Sequence, residues 1–206
     1  MECAFALQRM LRARASGGVV TIVDGAPAIL GDLAPCRELA RRALEREGVC
    51  FALGATVVAV RSDSVLLAYG GALPSDLVVW ATGGVAPRLI VASGLPHDDR
   101  GRLLVDEGLR ARTGAPIWAA GDCAAAGDET REDPRHEGEL LERELRTHLG
   151  SGRRRVASPR ARPLCLLDTG DGRAILRWGR VTARSRLAWW LKRRLDRRFV
   201  ARLGEG

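Results

Sequence analysis

Apolar residues recur along the chain with two different spacings, which predict an alternation of helices and strands. Residues 2–15 and 35–47 carry apolar positions at helical spacing, and glycines follow both segments. Short runs rich in valine, leucine and alanine are typical of strands, and those between residues 55 and 73 predict an antiparallel meander. The predicted strands cover residues 19–23, 49–53, 55–61, 64–68, 71–73, 76–82, 103–105 and 117–120.

The last third of the chain is more polar, yet it keeps the same spacings. Residues 131–149 predict a charged helix, and an arginine-rich linker with glycine and proline follows over 150–163. A hairpin is predicted from 164–167 and 173–178. The apolar face of the charged helix consists of Leu140, Leu141, Leu145 and Leu149.

The segment 115–126, with the sequence APIWAAGDCAAA, has an apolar run that Gly121 and Asp122 interrupt. We expect a short buried strand over 117–120, a tight turn, and a helix that starts within 123–126. Asp122 then has two interpretations. It is a preferred residue for capping a helix, and it also stands where α/β sheets bind their ligands.

Charge is distributed unevenly along the chain. Residues 1–150 carry 17 basic and 21 acidic side chains, a net charge of −4, whereas residues 151–206 carry 16 and 4, a net charge of +12. Lys192 is the only lysine, so the basic tail is an arginine tail that attracts anions. No apolar run is long enough to span a bilayer and the N-terminus lacks a cleavage-site pattern, so we expect a cytoplasmic location.

The five cysteines are widely spaced and form no C-x-x-C pair. This pattern argues against a disulfide framework, a structural zinc site and a dithiol redox centre, so no metal site is expected. The cysteines are Cys3, Cys36, Cys50, Cys123 and Cys165.

Three segments, taken in order, resemble the pyridine nucleotide–disulfide oxidoreductase superfamily. They are VTIVDG at 20–25, VVWATGGVAP at 78–87, and the stretch 93–122, which runs into IWAAGDCA. Within the superfamily the sequence resembles the type II NADH dehydrogenase branch, and it is more similar still to the FAD-dependent module that is found fused to selenide, water dikinase. Residues 166–179 and 191–203 resemble the C-terminal end of that module.

This resemblance implies an α/β fold with three parts. Residues 1–82 would be a partial Rossmann-like NAD-binding domain without its first strand and glycine loop, and 83–150 the C-terminal segment of an FAD-binding domain. Residues 151–206 would add a basic hairpin and an amphipathic helix. It implies an FAD-dependent NADH:acceptor oxidoreductase, in which hydride passes from NADH to the flavin and then to a quinone-like acceptor.

Both glycine-rich nucleotide loops of the family are missing from this sequence. The alternative function is therefore a non-catalytic truncated remnant that binds a partner or a membrane through its basic C-terminal helix. We expect no catalytic residue to be identifiable. His136 would be either a proton relay beside the flavin or a solvated histidine at a helix start.

The resemblance also assigns binding residues. Asp122 would accept hydrogen bonds from the hydroxyls of the flavin ribityl chain, and Asp24 from the adenosine ribose of NAD, where its charge would repel the phosphate of NADP. Asp24 has a turn residue as its alternative role. The FAD-binding set is Gly121, Asp122, Cys123, Thr82 and Gly83, and the NAD-binding set is Glu2, Asp24 and Ala81.

The segment 184–203 predicts a basic amphipathic helix with one broad apolar face. Such a helix suits a membrane interface, which would make the protein peripheral at the inner face of the membrane. The alternatives are docking on its own domain and pairing in a homodimer; nucleic acid is not an expected partner. The apolar face comprises Leu187, Trp190, Leu191, Leu195, Phe199 and Leu203.

Overall fold

The structure, a computed structural model, describes residues 1–15, 17–31, 34–126, 134–151, 164–179 and 181–203. Helices and strands alternate along the chain. The helices are α1 (Glu2–Ala13), α2 (Ala34–Arg46), α3 (Arg88–Ala92), α4 (Pro134–His148) and α5 (Arg186–Leu203). The strands are β1 (Thr21–Asp24), β2 (Cys50–Leu53), β3 (Val57–Val60), β4 (Ser64–Leu67), β5 (Ala72–Pro74), β6 (Leu103–Val105), β7 (Ala124–Ala126), β8 (Leu164–Asp168), β9 (Ala174–Trp178) and β10 (Val181–Ser185).

The described residues form two compact units. One comprises those within Met1–Val78 and Leu164–Gly206, and the other those within Val79–Pro163. The division therefore falls at Val78, four residues before the boundary that the sequence suggested at 82. The C-terminal segment, which the sequence set apart as a third part, belongs to the first unit.

The first unit contains a strand–helix–strand element. Strands β1 and β2 pair in parallel from Thr21↔Cys50 to Asp24↔Leu53, and α2 is the crossover between them. Parallel strands need such a crossover, because a tight turn reverses the chain direction and can join only antiparallel strands. One face of α2 buries Cys36, Ala40, Ala43 and Leu44.

The C-terminal hairpin shares a core with the first helices. Strands β8 and β9 pair antiparallel as predicted, and a third strand, β10, which the sequence did not predict, pairs with β9. Ile175 of β9 is buried in the same cluster as Phe5 of α1 and Leu44 of α2. Phe5 and Ile175 lie near opposite ends of the sequence, so a local sequence pattern could not predict that both belong to one cluster.

A polar network closes the turn between β8 and β9. The Thr169 hydroxyl is 2.6 Å from Asp171 Oδ1 and 2.9 Å from the Arg173 carbonyl oxygen, and Arg184 forms an ion pair with Asp171. Burial acts to raise the pKa of Asp171, but the Thr169 hydrogen bond and the Arg184 charge outweigh burial and lower it. Arg9 of α1 donates to the Gly170 carbonyl, which ties this turn to the first helix.

The predicted meander is confirmed. Strands β3, β4 and β5 form one antiparallel sheet in that order. Its buried side chains, Val65 and Leu67, form a small core with Ala55, and Val78 packs against it.

The strand predicted over 76–82 is not formed. Leu77 and Trp80 are 76% and 65% exposed, and no described strand pairs with this segment. An extended apolar run becomes a strand only where a neighbouring backbone offers hydrogen bonds, and the described residues offer none here.

The second unit is organised around one parallel strand pair. Strand β6, predicted at 103–105, pairs with β7 from Leu103↔Ala124 to Val105↔Ala126. The prediction that a helix starts within 123–126 is therefore wrong. These small residues form a strand instead, because β6 offers them backbone hydrogen bonds in a parallel pair. The strand predicted over 117–120 is also wrong, since only a single bridge joins Trp118 to Arg110.

Helix α4 packs on this strand pair. Leu140 is buried in one cluster with Leu103 and Val105, and Leu141 packs against that cluster. Leu145 and Leu149 are exposed, so only the first half of the predicted apolar face is used. Residues 131–133 of the predicted helix lie outside the described residues.

Helix α5 packs on the sheet that β8, β9 and β10 form. Ala188 is buried and Leu191 and Leu195 are half-buried, whereas Leu187 and Trp190 are 73% and 51% exposed. The predicted broad apolar face is thus divided between the protein and solvent. Among the described helices none is long and apolar enough to cross a membrane.

Candidate functional site

The segment around Asp122 is a single turn between two extended stretches. Gly121–Cys123 forms one turn of 3-10 helix, with extended backbone at Ala120 before it and at Ala124 after it. Gly121 has a φ of +74°, a conformation that glycine adopts at little cost. Because a strand follows the turn, Asp122 caps no α-helix, and the capping interpretation is wrong.

Apolar packing fixes the chain on both sides of this turn. Trp118, Cys123 and Ala124 pack against the buried cluster of the second unit. The Trp118 ring meets the His148 ring edge-on at 4.8 Å, and the Arg110 guanidinium lies 5.5 Å from its centroid. The exposed Asp122 is therefore presented by a turn whose flanks are anchored.

A second segment approaches Asp122 closely. A Cβ atom built on Gly84 would lie 2.7 Å from Asp122 Oδ2, 3.0 Å from its Cβ and 3.1 Å from its Cγ. Only a residue without a side chain fits at this distance. Thr82 and Gly83, which immediately precede Gly84, are exposed, and Gly83 has a φ of +83°. The structure thus brings together the two predicted segments of the FAD-binding set.

The turn is held from a third side by Glu137, in the first turn of α4. Its Oε2 atom accepts a hydrogen bond from the Gly121 backbone N–H. No role was predicted for Glu137 from the sequence, although a carboxylate in the first turn of a helix is a common signal of a helix start. His136 also lies in α4, but its side chain is outside the described residues, so both of its predicted roles stay predictions.

The three predicted NAD-binding residues belong to three different segments of the chain. Asp24 ends β1, and its Oδ1 accepts a hydrogen bond from the Ala26 N–H at 2.9 Å, which is the contact of the turn alternative. Ala81 is exposed and precedes Thr82 in the second unit. Within the first unit, Asp24 and Glu2 are on different elements, β1 and α1.

Glu2 contacts the C-terminal segment. Its Oε1 accepts a hydrogen bond from the Asp168 N–H at 2.7 Å and lies 3.3 Å from Lys192 Nζ. Burial acts to lower the pKa of Lys192, but Asp196 and Glu2 outweigh burial and raise it. The Glu2 carboxylate therefore already binds two groups of the protein itself.

The described residues include no candidate metal-binding cluster. Across the described ranges no three histidine, cysteine, aspartate or glutamate side chains cluster closely enough to hold a metal ion.

A family model described as pyridine nucleotide-disulphide oxidoreductase matches residues 1–144, which is more than half of the chain. The chain belongs to this family. The recognition made from the three motifs is thereby confirmed at the level of the family.

Among curated relatives, an NADH dehydrogenase-like protein of Mycobacterium tuberculosis is 36% identical over 108 residues, 52% of this chain and 27% of the relative. A demethylphylloquinone reductase of Synechocystis is 32% identical over 95 residues, 45% of this chain and 24% of the relative. The matched part of the chain thus spans about a quarter of the length of these relatives.

Solved structures share the fold. The sulfide:quinone oxidoreductase of Aquifex aeolicus superposes with a TM-score of 0.72 at 15% identity, over 97% of this chain and 53% of that one. A ferredoxin reductase of Rhodopseudomonas palustris gives 0.59 at 24% identity, over 80% of this chain and 42% of that one. These similarities confirm the predicted α/β class with its partial Rossmann-like domain.

The residues around Asp122 suit a flavin chain. The carboxylate is an acceptor, the ribityl hydroxyls are donors, and the space beside Gly83 and Gly121 is open, since an added Cβ at either would meet nothing within 4 Å. A Cβ at Gly84 would displace the Asp122 carboxylate from this position. The geometry therefore fits the group that the family implies.

Proposed function

We propose that this chain contributes to an NADH-dependent flavin oxidoreductase by holding FAD through Asp122. A flavin bound there would accept hydride from NADH and deliver electrons to an acceptor such as a quinone. The observation that supports this proposal is that Gly84 lies against Asp122, where an added Cβ would be only 2.7 Å from Asp122 Oδ2. This contact joins two segments that were separately predicted to contact FAD.

The chain's own residues would act mainly in positioning. Asp122 would accept hydrogen bonds from the ribityl hydroxyls. The ribityl chain would be bordered by Cys123 and by the backbone of Thr82, Gly83 and Gly121. Asp24 would bind the adenosine ribose of NAD and would favour NAD over NADP by its charge. The NAD-binding roles predicted for Glu2 and Ala81 stay predictions. The quinone-like acceptor and the link to the module fused to selenide, water dikinase stay predictions.

The test is a titration of the purified chain with FAD, followed by flavin fluorescence. We expect Asp122→Asn to weaken FAD binding about tenfold, because an amide oxygen loses the charge assistance of a carboxylate. Asp24→Asn is the matched control and should leave the affinity for FAD unchanged. A wild-type chain that takes up no FAD would contradict the proposed function.

A second candidate function has its own support in α5. Leu187 and Trp190 are exposed, and the guanidinium of Arg194 lies 5.4 Å from the Trp190 ring. This combination suits an anionic membrane surface, where apolar and cationic side chains act together. The packing of α5 on its own sheet buries Ala188 but leaves Leu187 and Trp190 exposed.

Flotation with vesicles that contain anionic lipid tests this second candidate. We expect the wild-type chain to float with anionic and not with neutral vesicles. The double variant Leu187→Ser, Trp190→Ser should lose at least about half of the bound fraction, because apolar insertion and charge both contribute to binding. Tyr69→Ser is the control, since Tyr69 is comparably exposed but lies in the meander turn. Equal flotation of wild type and the double variant would exclude α5 as the docking surface, and a dimer would be the next explanation to test by size.

A further inference from the structure

Glu137 contacts the backbone of the Asp122 turn from the next helix, 16 residues further along the chain than Gly121. Its carboxylate accepts a hydrogen bond from the N–H of Gly121, the residue that opens the 3-10 turn. The N–H groups in the first turn of a helix have no partner within the helix itself. Glu137 therefore supplies a partner that the turn cannot supply.

This contact matters because Gly121 is conformationally free. With a φ of +74° and no side chain, it could adopt several backbone conformations of similar energy. Each would point the Asp122 side chain in a different direction. A hydrogen bond at the Gly121 N–H restricts these conformations.

Gly84 and Glu137 restrict the turn at different atoms. Gly84 lies against the Asp122 carboxylate, whereas Glu137 binds the backbone one residue earlier. Glu137 also places a second negative charge beside the turn. Such a charge disfavours a phosphate and favours neutral hydroxyl donors.

We propose that Glu137 is a positioning residue that orients Asp122 toward the neutral, hydroxyl-bearing part of its ligand. This inference rests on the proposed function for the identity of the ligand, which would be the ribityl chain of FAD. The contact between Glu137 and Gly121 does not depend on that identity.

Two substitutions separate the hydrogen bond from the charge. Glu137→Leu removes both, whereas Glu137→Gln keeps an acceptor oxygen in place. We expect Glu137→Leu to weaken FAD binding about tenfold and Glu137→Gln to stay within about threefold of wild type, because the acceptor is what orients the turn. Glu142→Leu is the matched control, since Glu142 lies on the same helix and pairs with Arg146 on the exposed side.

A positioning role predicts that the effect of Glu137 requires Asp122. In an Asp122→Ala background, Glu137→Leu should therefore weaken FAD binding no further. Equal losses in both backgrounds, or equal FAD affinity of wild type and Glu137→Leu, would overturn the inference.

The Gly121 amide gives a readout that needs no flavin. In a proton–nitrogen correlation spectrum, its resonance should shift in Glu137→Leu and shift much less in Glu137→Gln or Glu142→Leu. An unchanged Gly121 resonance in Glu137→Leu would overturn the inference, whatever the protein binds. Conversely, a wild-type chain that binds no FAD but shows the expected shift would refute the flavin ligand and support the positioning contact.

Discussion

Replacing Gly84 with alanine is expected to weaken FAD binding by roughly a hundredfold or more. The new Cβ would lie 2.7 Å from Asp122 Oδ2 and 3.0 Å from its Cβ. A different rotamer of Asp122 would move its Oδ2 atom but not its Cβ, so the backbone of the turn must shift. Displacements of about 1 Å in a positioned group cost on the order of a hundredfold in function.

The measurement is an FAD titration combined with a thermal melt. Gly31→Ala is the control, because a Cβ on Gly31 would meet nothing within 4 Å and its φ lies outside the left-handed region. Gly83→Ala adds a comparison, since its φ of +83° makes alanine strained although space is available. If Gly84→Ala binds FAD as tightly as the Gly31→Ala variant, Asp122 does not hold the flavin in the conformation described.

Replacing Phe5 with alanine is expected to reduce the free energy of unfolding by about 3–5 kcal/mol. Phe5 is 1% exposed and belongs to the cluster that also buries Leu44 and Ile175. Domains of ordinary stability unfold at a cost of roughly 5–15 kcal/mol, so this loss would remove a large share of the total. Urea unfolding, followed by tryptophan fluorescence, measures it.

A double-mutant cycle with Ile175→Val tests whether α1 and the C-terminal hairpin share this core. Residues of one packed cluster usually couple by about 0.5–3 kcal/mol, so the two losses should not add. Met10→Ala is the control on the same helix, because Met10 is 42% exposed. Strictly additive losses, or a loss for Phe5→Ala no larger than for Met10→Ala, would show that the hairpin folds apart from α1.

Local patterns were sufficient for several elements. The β-branched run before Asp24, the helical spacing of α2 and the short alternating runs of the meander predicted these elements to within a few residues. Each depends on side chains that are close in sequence, and backbone propensity and burial favour the same structure there. The three motifs also identified the family, because their order is more specific than any one of them.

Where local propensity and long-range pairing disagreed, pairing decided. Ala124–Ala126 favours a helix by composition, but the edge of Leu103–Val105 makes it a strand. The apolar run near Trp80 has strand propensity, yet it is exposed and unpaired among the described residues. Hydrogen bonds to a neighbouring strand depend on the whole fold, so a local window contains no information about them.

The candidate site divides in the same way. The sequence by itself determined that Gly121 and Asp122 form a tight turn, and it indicated through family motifs which residues to examine. Only the tertiary structure placed Gly84 against Asp122 and Glu137 on the Gly121 amide. A turn is set by the conformational preferences of its own residues, whereas the direction of its carboxylate is set by contacts between atoms that lie far apart along the chain.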